Sequence, residues 1–241
     1  MKEISHLTQE QIFNIIIHLP FFTAFDPAEQ MLFAGGHARI FCYRTGEFLI
    51  QEGGDDHSLF LLLTGAASVV KEGSAIPLAM LGPGDIFGEV GFLMQRKRTT
   101  NVIVHPPSSP VSSGQSALWE QLAHTFASEL PQEDPLATTV TIQWHRAILQ
   151  QLERETRIKL KNLVIQRLMT RLDTMNERVT RLTGAAPLLS LDEELERTLQ
   201  QEQTPSLEML ETTKERIIEQ LIGFVEELNR QLLRVPPPDL D

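Results

Sequence analysis

Residue types that can do chemistry are concentrated between positions 82 and 102, where glycines, one carboxylate and one arginine lie close together. Gly88 allows the backbone to approach a ligand closely, and the five residues that follow can form a helical turn whose amide groups point at an anion. Arg98 adds a permanent, forked cation, and Thr99 adds a hydroxyl donor. Glu89 would repel a phosphate. Its presence beside Arg98 therefore favours a ligand with a hydroxyl group on the ring that bears its phosphate.

Short strands are predicted to position these groups. Apolar and β-branched runs alternate with turn signals that contain glycine, such as Thr45-Gly46, Thr64-Gly65 and Gly82-Pro83-Gly84-Asp85. Many short strands separated by glycine turns are typical of a β-roll or barrel. The predicted strands cover residues 40–43, 48–50, 59–63, 67–70, 78–81 and 101–104, and a last strand covers 138–142.

Three motifs in this region resemble those of the cyclic-nucleotide-binding domain family. They are Gly46-Glu47-x-Leu49-Ile50-x-Glu52-Gly53, Leu61-Leu62-Leu63-Thr64-Gly65, and the Gly-Glu pair followed by Arg98. The family includes the bacterial catabolite activator protein, regulatory subunits of cyclic-nucleotide-dependent kinases and cyclic-nucleotide-gated channels. The resemblance covers about residues 19–179. It implies an α+β fold: an antiparallel, jelly-roll-like β-roll with flanking helices, a long dimerisation helix and an all-α C-terminal tail.

The resemblance also assigns ligand-binding roles to individual residues. Glu89 would accept a hydrogen bond from the ribose 2′-hydroxyl, and Arg98 and Thr99 would bind the exocyclic phosphate oxygens. Backbone amides of Gly88 and Val90 would assist, and Thr100 belongs to the same set. A base cap is assigned by a gapped alignment to the long helix, at Thr174, Met175 and Asn176. The alternative for those three is ordinary coiled-coil surface and seam.

The identity of the nucleotide stays open between cAMP and cGMP. Thr99 resembles the residue that favours cGMP in the kinase family, where a threonine reaches the guanine amino group. A hydroxyl at this position also occurs in cAMP sensors, including the bacterial activator. The sequence resembles bacterial members, in which cAMP is the more frequent ligand. We therefore expect cAMP in preference to cGMP, and no cofactor.

The segments before and inside the β-roll have their own signals. Residues 1–37 are predicted to form helices, because Thr8 and Gln11 have capping-box spacing and Asp26-Pro27 starts a second helix that stops at Gly35-Gly36. The β-roll is expected at residues 38–142. Residues 105–137 interrupt it with a proline- and serine-rich loop and one amphipathic helix. That insertion is either a lid or partner-docking element, or a segment that packs on the roll without a functional role.

Residues 143–183 are predicted to form the long helix, or two helices with a bend. Apolar residues recur in it at seven-residue intervals, and Lys161 is the polar break in one of the two rows. Such a pattern predicts a dimeric coiled coil; the alternative is a helix packed on its own domain. The two rows are Ile158, Ile165, Leu172 and Val179, and Leu168, Met175 and Leu182.

Residues 184–241 form an acidic helical module with 5 basic and 13 acidic side chains, a balance of 5 − 13 = −8. A DNA-recognition helix must approach phosphates, so this tail argues against the helix-turn-helix output domain of the family's transcription factors. The tail instead carries an amphipathic stripe from Leu207 to Leu232. That stripe is expected to be buried within the chain or dimer, or in the groove of an unidentified protein partner.

Composition excludes several other classes. The formal net charge of −11 disfavours DNA and anionic membranes. The single cysteine builds no disulfide framework. The start of the chain lacks the basic and apolar regions of a signal peptide, and the longest apolar runs, such as residues 59–63, are too short to span a bilayer. The seven histidines show no metal-ligand spacing, and no nucleophile elbow or Walker loop occurs. We therefore predict a cytoplasmic, homodimeric, non-enzymatic signalling protein with no catalytic or metal residues. The alternatives are an atypical catabolite activator-like transcription regulator and a ligand-free dimeric scaffold.

Overall fold

A computed structural model describes residues 1–5, 7–73, 77–105, 139–183 and 207–233. Contacts divide the chain into two compact units, residues 1–152 and 153–241. The predicted insertion, apart from His105, and the segment between residues 184 and 206 lie outside the described residues. So do the last eight residues of the chain.

The first unit is built on two antiparallel sheets, as the α+β prediction requires. A five-stranded sheet has the order β1-β2-β9-β4-β7, and a four-stranded sheet has the order β3-β8-β5-β6. The strands are β1 Lys2–Ile4, β2 Ala38–Tyr43, β3 Phe48–Ile50, β4 Leu59–Thr64, β5 Ala66–Val70, β6 Ala79–Leu81, β7 Ile86–Phe87, β8 Asn101–His105 and β9 Thr139–Trp144.

The two sheets enclose the core of the roll. Every residue of β4 is buried, because this strand is covered on both of its faces. The enclosed cluster is apolar and partly aromatic, and it brings together Phe41 and Phe60 of the five-stranded sheet with Ile50 and Val102 of the four-stranded one. Burial of side chains this large is the main favourable term in the stability of the roll.

The helices of the first unit pack against the other face of the five-stranded sheet. They are α1 Gln9–Ile16, a 3₁₀ turn at Pro20–Ala24, α2 Pro27–Phe33, α3 Glu89–Met94 and a 3₁₀ turn at Arg146–Gln150. Phe22, Phe33 and Trp144 form an aromatic cluster, and the Trp144 indole N–H donates to the Phe33 carbonyl oxygen at 2.7 Å. This hydrogen bond ties α2 to the last strand.

Most of the predicted local structure is confirmed. Capping boxes start α1 at Thr8 and α2 at Asp26. The observed strands β2 to β6 and β8 begin or end within two residues of their predictions. The sequence interpretation missed two strands, β1 and β7. Because β1 is Lys2–Ile4, the N-terminal segment of residues 1–37 is not purely helical.

One predicted boundary is wrong. The long helix does not begin at Gln143, because Gln143 and Trp144 complete β9 and pair with Arg39 and Ala38. Helix α2 does stop directly before Gly35-Gly36, as predicted: its C-cap is Ala34 in the right-handed region, and neither glycine has a positive φ. Gly35 serves another purpose, since a Cβ there would come within 3.1 Å of the Leu32 carbonyl oxygen.

The second unit contains two long helices, α4 Arg154–Thr183 and α5 Leu207–Leu233, and these pack along each other. Ile165, Leu168, Leu172 and Met175 of the predicted coiled-coil rows are buried within a single chain. The polar break, Lys161, is also buried, and its ammonium group pairs with Glu215 of α5 at 2.6 Å. The alternative of packing within the chain accounts for these contacts, and homodimerisation stays a prediction.

None of the described helices has the length and apolar character that crossing a membrane requires. Across the described residues, no group of three or more His, Cys, Asp or Glu side chains is arranged to hold a metal ion.

Candidate functional site

The candidate site lies where β7 turns into α3. Gly88 is the N-cap of α3 with φ 78° and ψ 8°, a left-handed conformation that glycine adopts without steric cost. The helical turn predicted after Gly88 is confirmed as α3, with Glu89 as its first residue and only 3% exposed. The turn sets the Gly88 carbonyl oxygen toward the side chain of Arg98.

Arg98 is held by three oxygen atoms. Its Nη1 donates to the Gly88 carbonyl oxygen at 2.8 Å. Its Nη2 donates to Oδ2 of Asp56 at 2.8 Å and to the Ser58 carbonyl oxygen at 2.6 Å. The residue is 6% exposed. The forked guanidinium can satisfy acceptors that lie in different directions, which fixes its orientation under α3.

The backbone and one aromatic ring position the same arginine. The Arg98 N–H donates to the Gly54 carbonyl oxygen at 2.9 Å, and the Gly53 N–H donates to the Arg98 carbonyl oxygen at 2.8 Å. The guanidinium carbon lies 5.7 Å from the centre of the Phe60 ring, within cation–π range. Arg98 is therefore placed by the Gly53-Gly54 turn and by Phe60 of β4 in the five-stranded sheet.

Arg98 has five side-chain N–H donors, and the bonds above use three of them, which leaves one on Nη1 and the one on Nε. Its Nε is buried and has no hydrogen-bond partner among the described residues. Leaving a buried donor of a charged group unpaired costs about 1–3 kcal/mol. An anion with an acceptor oxygen at this atom would remove that cost, so the geometry suits phosphate.

Glycine is required at two positions beside the guanidinium. A Cβ on Gly88 would lie 2.9 Å from Nη1 of Arg98 and 3.0 Å from the Ser58 carbonyl oxygen, and a Cβ on Gly91 would lie 2.8 Å from Nη1. The backbone of α3 therefore touches the cation directly. The sequence interpretation identified Gly88 for close approach but missed Gly91.

Asp56 is the main site residue that the sequence interpretation missed, because it stood in the Gly53-Gly54-Asp55-Asp56 turn signal. Its Oδ1 accepts hydrogen bonds from the N–H and the hydroxyl group of Ser58 at 3.2 and 2.7 Å. Burial by itself raises the pKa of Asp56, but the hydrogen bonds and charge of Arg98 outweigh it and hold that pKa below its usual value. Asp56 is thus ionised and balances the buried charge of Arg98.

The lowered pKa of Asp56 predicts an acid-dependent loss of stability. The stabilisation is complete above the unfolded-state pKa of about 3.9 and is lost as the pH falls through the lower folded-state value. At pH 7, Asp56→Asn should reduce the free energy of unfolding by about 1 kcal/mol, because the carboxylate is half exposed and solvent screens the pair. Urea unfolding between pH 2 and 7 should show this difference shrinking below pH 4. The exposed neighbour variant Asp55→Asn is the control; an equal, pH-independent loss in both variants would contradict the prediction.

The remaining predicted phosphate residues have different environments. Val90 follows Glu89 in α3 and is partly buried, Thr99 is exposed, and Thr100 is partly buried. The Thr99 carbonyl oxygen accepts from the Lys71 ammonium group at 2.8 Å, and Lys71 also pairs with Glu52. Lys71 therefore fixes the backbone of the loop that presents Thr99. The phosphate-binding roles of these residues stay predictions.

The predicted base-cap residues lie on α4 in the second unit. Met175 is buried, whereas Thr174 is exposed and its hydroxyl donates to the Thr170 carbonyl oxygen at 3.0 Å. Asn176 is partly buried. Their role as a cap stays a prediction.

Sequence comparison agrees with this geometry. Residues 40–124 match the family described as cyclic nucleotide-binding domain. Over 61 residues the chain is 39% identical to a cAMP-dependent protein kinase regulatory subunit of Neurospora crassa, a match that covers 25% of this chain and 16% of that protein. The matched segment is thus a small part of that relative.

Structural comparison gives the same fold. A cyclic nucleotide-binding domain from Methylobacillus flagellatus superposes with a TM-score of 0.51 at 19% identity, covering 75% of this chain and 86% of the other. The cAMP-bound PfPKA-R (141–441) superposes with a TM-score of 0.49 at 16% identity, covering 70% of this chain and 46% of the other. The predicted β-roll is confirmed, and the segment that matches the cyclic nucleotide-binding domain family, residues 40–124, includes strands of both sheets and the candidate site.

Proposed function

We propose that this chain is a non-enzymatic sensor that binds cAMP in preference to cGMP and passes the signal to its helical second unit. The observation that carries the proposal is the buried guanidinium of Arg98, which is fixed in orientation and whose buried Nε has no hydrogen-bond partner among the described residues. The 39% identity to a cAMP-dependent kinase regulatory subunit supports cAMP as the ligand. In this proposal Arg98 binds the phosphate and Glu89 the ribose 2′-hydroxyl.

A hydrogen bond links the candidate site to the element that leads toward the second unit. Nε of Arg146 donates to the Phe92 carbonyl oxygen at 2.8 Å, so it joins the 3₁₀ turn Arg146–Gln150 to α3. Only three residues, 151–153, lie between that turn and the start of α4. A shift of α3 on ligand binding would therefore displace this turn and, through it, the start of α4, the longest described helix. For this to be a switch, the two arrangements must differ in nucleotide affinity.

The second unit is proposed as the output. Its α5 helix is acidic and would be repelled by the phosphates of DNA. In this proposal the second unit therefore binds a protein partner rather than DNA. Homodimerisation of the unit is part of the same proposal, and the molecular mass in solution, with and without nucleotide, tests it.

The role of Glu89 gives a sharp test of the proposed function. Calorimetric titration should show that cAMP binds more tightly than cGMP. It should also bind about 10- to 100-fold more tightly than 2′-deoxy-cAMP, because a hydrogen bond to a charged acceptor contributes about 1.5–3 kcal/mol. In Glu89→Gln this preference for the 2′-hydroxyl should fall to a few-fold. Hydrogen exchange of residues 146–150 should change when cAMP is added.

The outcomes separate the alternatives. Tight cGMP binding with no cAMP binding would reverse the ligand assignment. Equal affinities for cAMP and its 2′-deoxy analogue would contradict the role of Glu89. A folded protein, shown to be free of carried-over nucleotide, that binds neither ligand would leave a dimeric scaffold as the better account.

A further inference from the structure

A cavity of about 530 Å³ opens in the first unit, between the inner face of the five-stranded sheet and Leu49 of β3. Aromatic side chains of β2 and β4 form its apolar surface: Phe41, Tyr43 and Phe60. A volume of this size suits a small organic molecule.

This cavity is separate from the candidate nucleotide site. None of the six predicted nucleotide-binding residues lines it. The two sites share one wall, because Asp56 and Ser58 line the cavity and their oxygen atoms also accept hydrogen bonds from Nη2 of Arg98. The Phe60 ring likewise contacts the guanidinium on one side and lines the cavity.

The polar lining offers hydrogen-bond donors. Gln143 contributes an amide group and Arg39 a guanidinium. The Arg39 side chain is 63% exposed and only loosely paired with Glu3 at 3.7 Å, an exposed pair that contributes little and can be exchanged for a ligand. Nδ1 of His145 accepts from the Ala147 N–H at 3.2 Å. In the neutral imidazole the proton is therefore on Nε2, which is a donor.

Among the described residues, aromatic rings lie beside hydrogen-bond donors and the weakly paired guanidinium of Arg39, and this combination defines the ligand class. We propose that this cavity binds a planar aromatic monocarboxylate, with its ring against Phe41 and Phe60 and its carboxylate paired with Arg39. The rings favour stacked or edge-on packing, and a guanidinium matches the planar carboxylate with two parallel hydrogen bonds. Asp56 and Ser58 line the cavity and also accept hydrogen bonds from Arg98. A carboxylate ligand bound in the cavity therefore also stabilises the present orientation of that arginine. That consequence, unlike the site itself, rests on the proposed function.

The test uses 2-naphthoate and its uncharged counterpart 2-naphthamide as probes, in calorimetric titrations of the full chain. Naphthoate should bind with a dissociation constant below about 1 mM and at least tenfold more tightly than the amide. In Arg39→Ala the two probes should bind within threefold of each other. Gly36 lines the cavity, and a Cβ there would meet nothing within 4 Å. Gly36→Leu therefore places a side chain at the cavity without a backbone clash, and it should weaken naphthoate binding at least tenfold.

The proposal is overturned if folded protein does not bind naphthoate at 5 mM, or if neither variant alters binding, since the probe would then lie elsewhere. It is also overturned if Gly36→Leu abolishes cAMP binding, because the cavity would then belong to the nucleotide site. Naphthoate binding is measured without nucleotide, so failure of the proposed function leaves this result unchanged. If both sites exist, saturating naphthoate should tighten cAMP binding, and by linkage cAMP should tighten naphthoate binding by the same factor.

Discussion

Arg98→Ala should reduce the affinity for cAMP by about 100- to 1,000-fold, because it removes charge-assisted hydrogen bonds that contribute about 1.5–3 kcal/mol each. Calorimetry measures this loss directly. In thermal unfolding, wild-type protein at 100 times its dissociation constant gains about 2.7 kcal/mol, and the variant at the same cAMP concentration should gain nearly none. A reduction of less than threefold in a folded variant would contradict the assignment of Arg98 as the phosphate ligand.

The same variant also affects the fold, and this needs its own control. Without the guanidinium, the Asp56 carboxylate and two carbonyl oxygens, those of Gly88 and Ser58, lose their donor. Arg98→Lys keeps the positive charge but has no fork to reach acceptors on both sides. It should fold better than the alanine variant and still bind cAMP at least tenfold more weakly than wild type. Lys97→Ala, at the exposed neighbouring position, should leave affinity unchanged.

Gly65→Ala should be the most destabilising single-methyl addition at a turn of the roll. Gly65 has φ +84°, and a Cβ there would lie 2.1 Å from Oγ1 and 2.8 Å from Cα of Thr139. The left-handed conformation costs about 1–2 kcal/mol for a non-glycine residue, and the overlap adds about 1–3 kcal/mol. Because part of the overlap is with backbone, rotation of the threonine cannot relieve it. The sum corresponds to a fall in Tm of about 10 °C for a unit of this size.

Gly46→Ala is a matched control for that prediction. Gly46 also has φ +84°, but a Cβ there would meet nothing within 4 Å. It should therefore show the conformational cost alone, about 1–2 kcal/mol. Urea unfolding of both variants measures the difference, which isolates the clash with Thr139. Equal losses would mean that β9 shifts away from Gly65 at no cost.

The sequence predicts the parts of this fold that depend on local signals. Capping at Thr8 and Asp26 needs only neighbours three residues away, and the glycine turns of the roll combine a residue type with one backbone conformation. The long strand pairings are harder to predict. Strand β1 exists because it pairs with β2, 36 or more residues away in the sequence, and β7 has only two residues, too few for any periodicity.

In the candidate site too, the residues that are close in sequence could be predicted, whereas the distant partner could not. Gly88, Glu89 and Arg98 are recognisable because they lie within eleven residues of one another. Asp56 is 42 residues from Arg98, and in sequence the run Gly53-Gly54-Asp55-Asp56 predicts only a turn. A buried arginine does imply that a carboxylate lies nearby to balance its charge. Only the tertiary structure shows which of the chain's acidic residues supplies that carboxylate. Lys161 is a parallel case: its break in the apolar rows is explained by Glu215, 54 residues later.

The central position of β9 has a consequence for how the chain acquires its structure during synthesis. Strand β9 lies between β2 and β4 and pairs with both, yet it follows them by about 80 to 100 residues in the sequence. Until residue 144 has been made, both strands keep an unpaired edge, which is prone to pairing with other chains. Such distant pairings also slow folding. We therefore expect the five-stranded sheet to close late, after residues 88–98 of the candidate site have already been made, so that the roll completes its folding around that site.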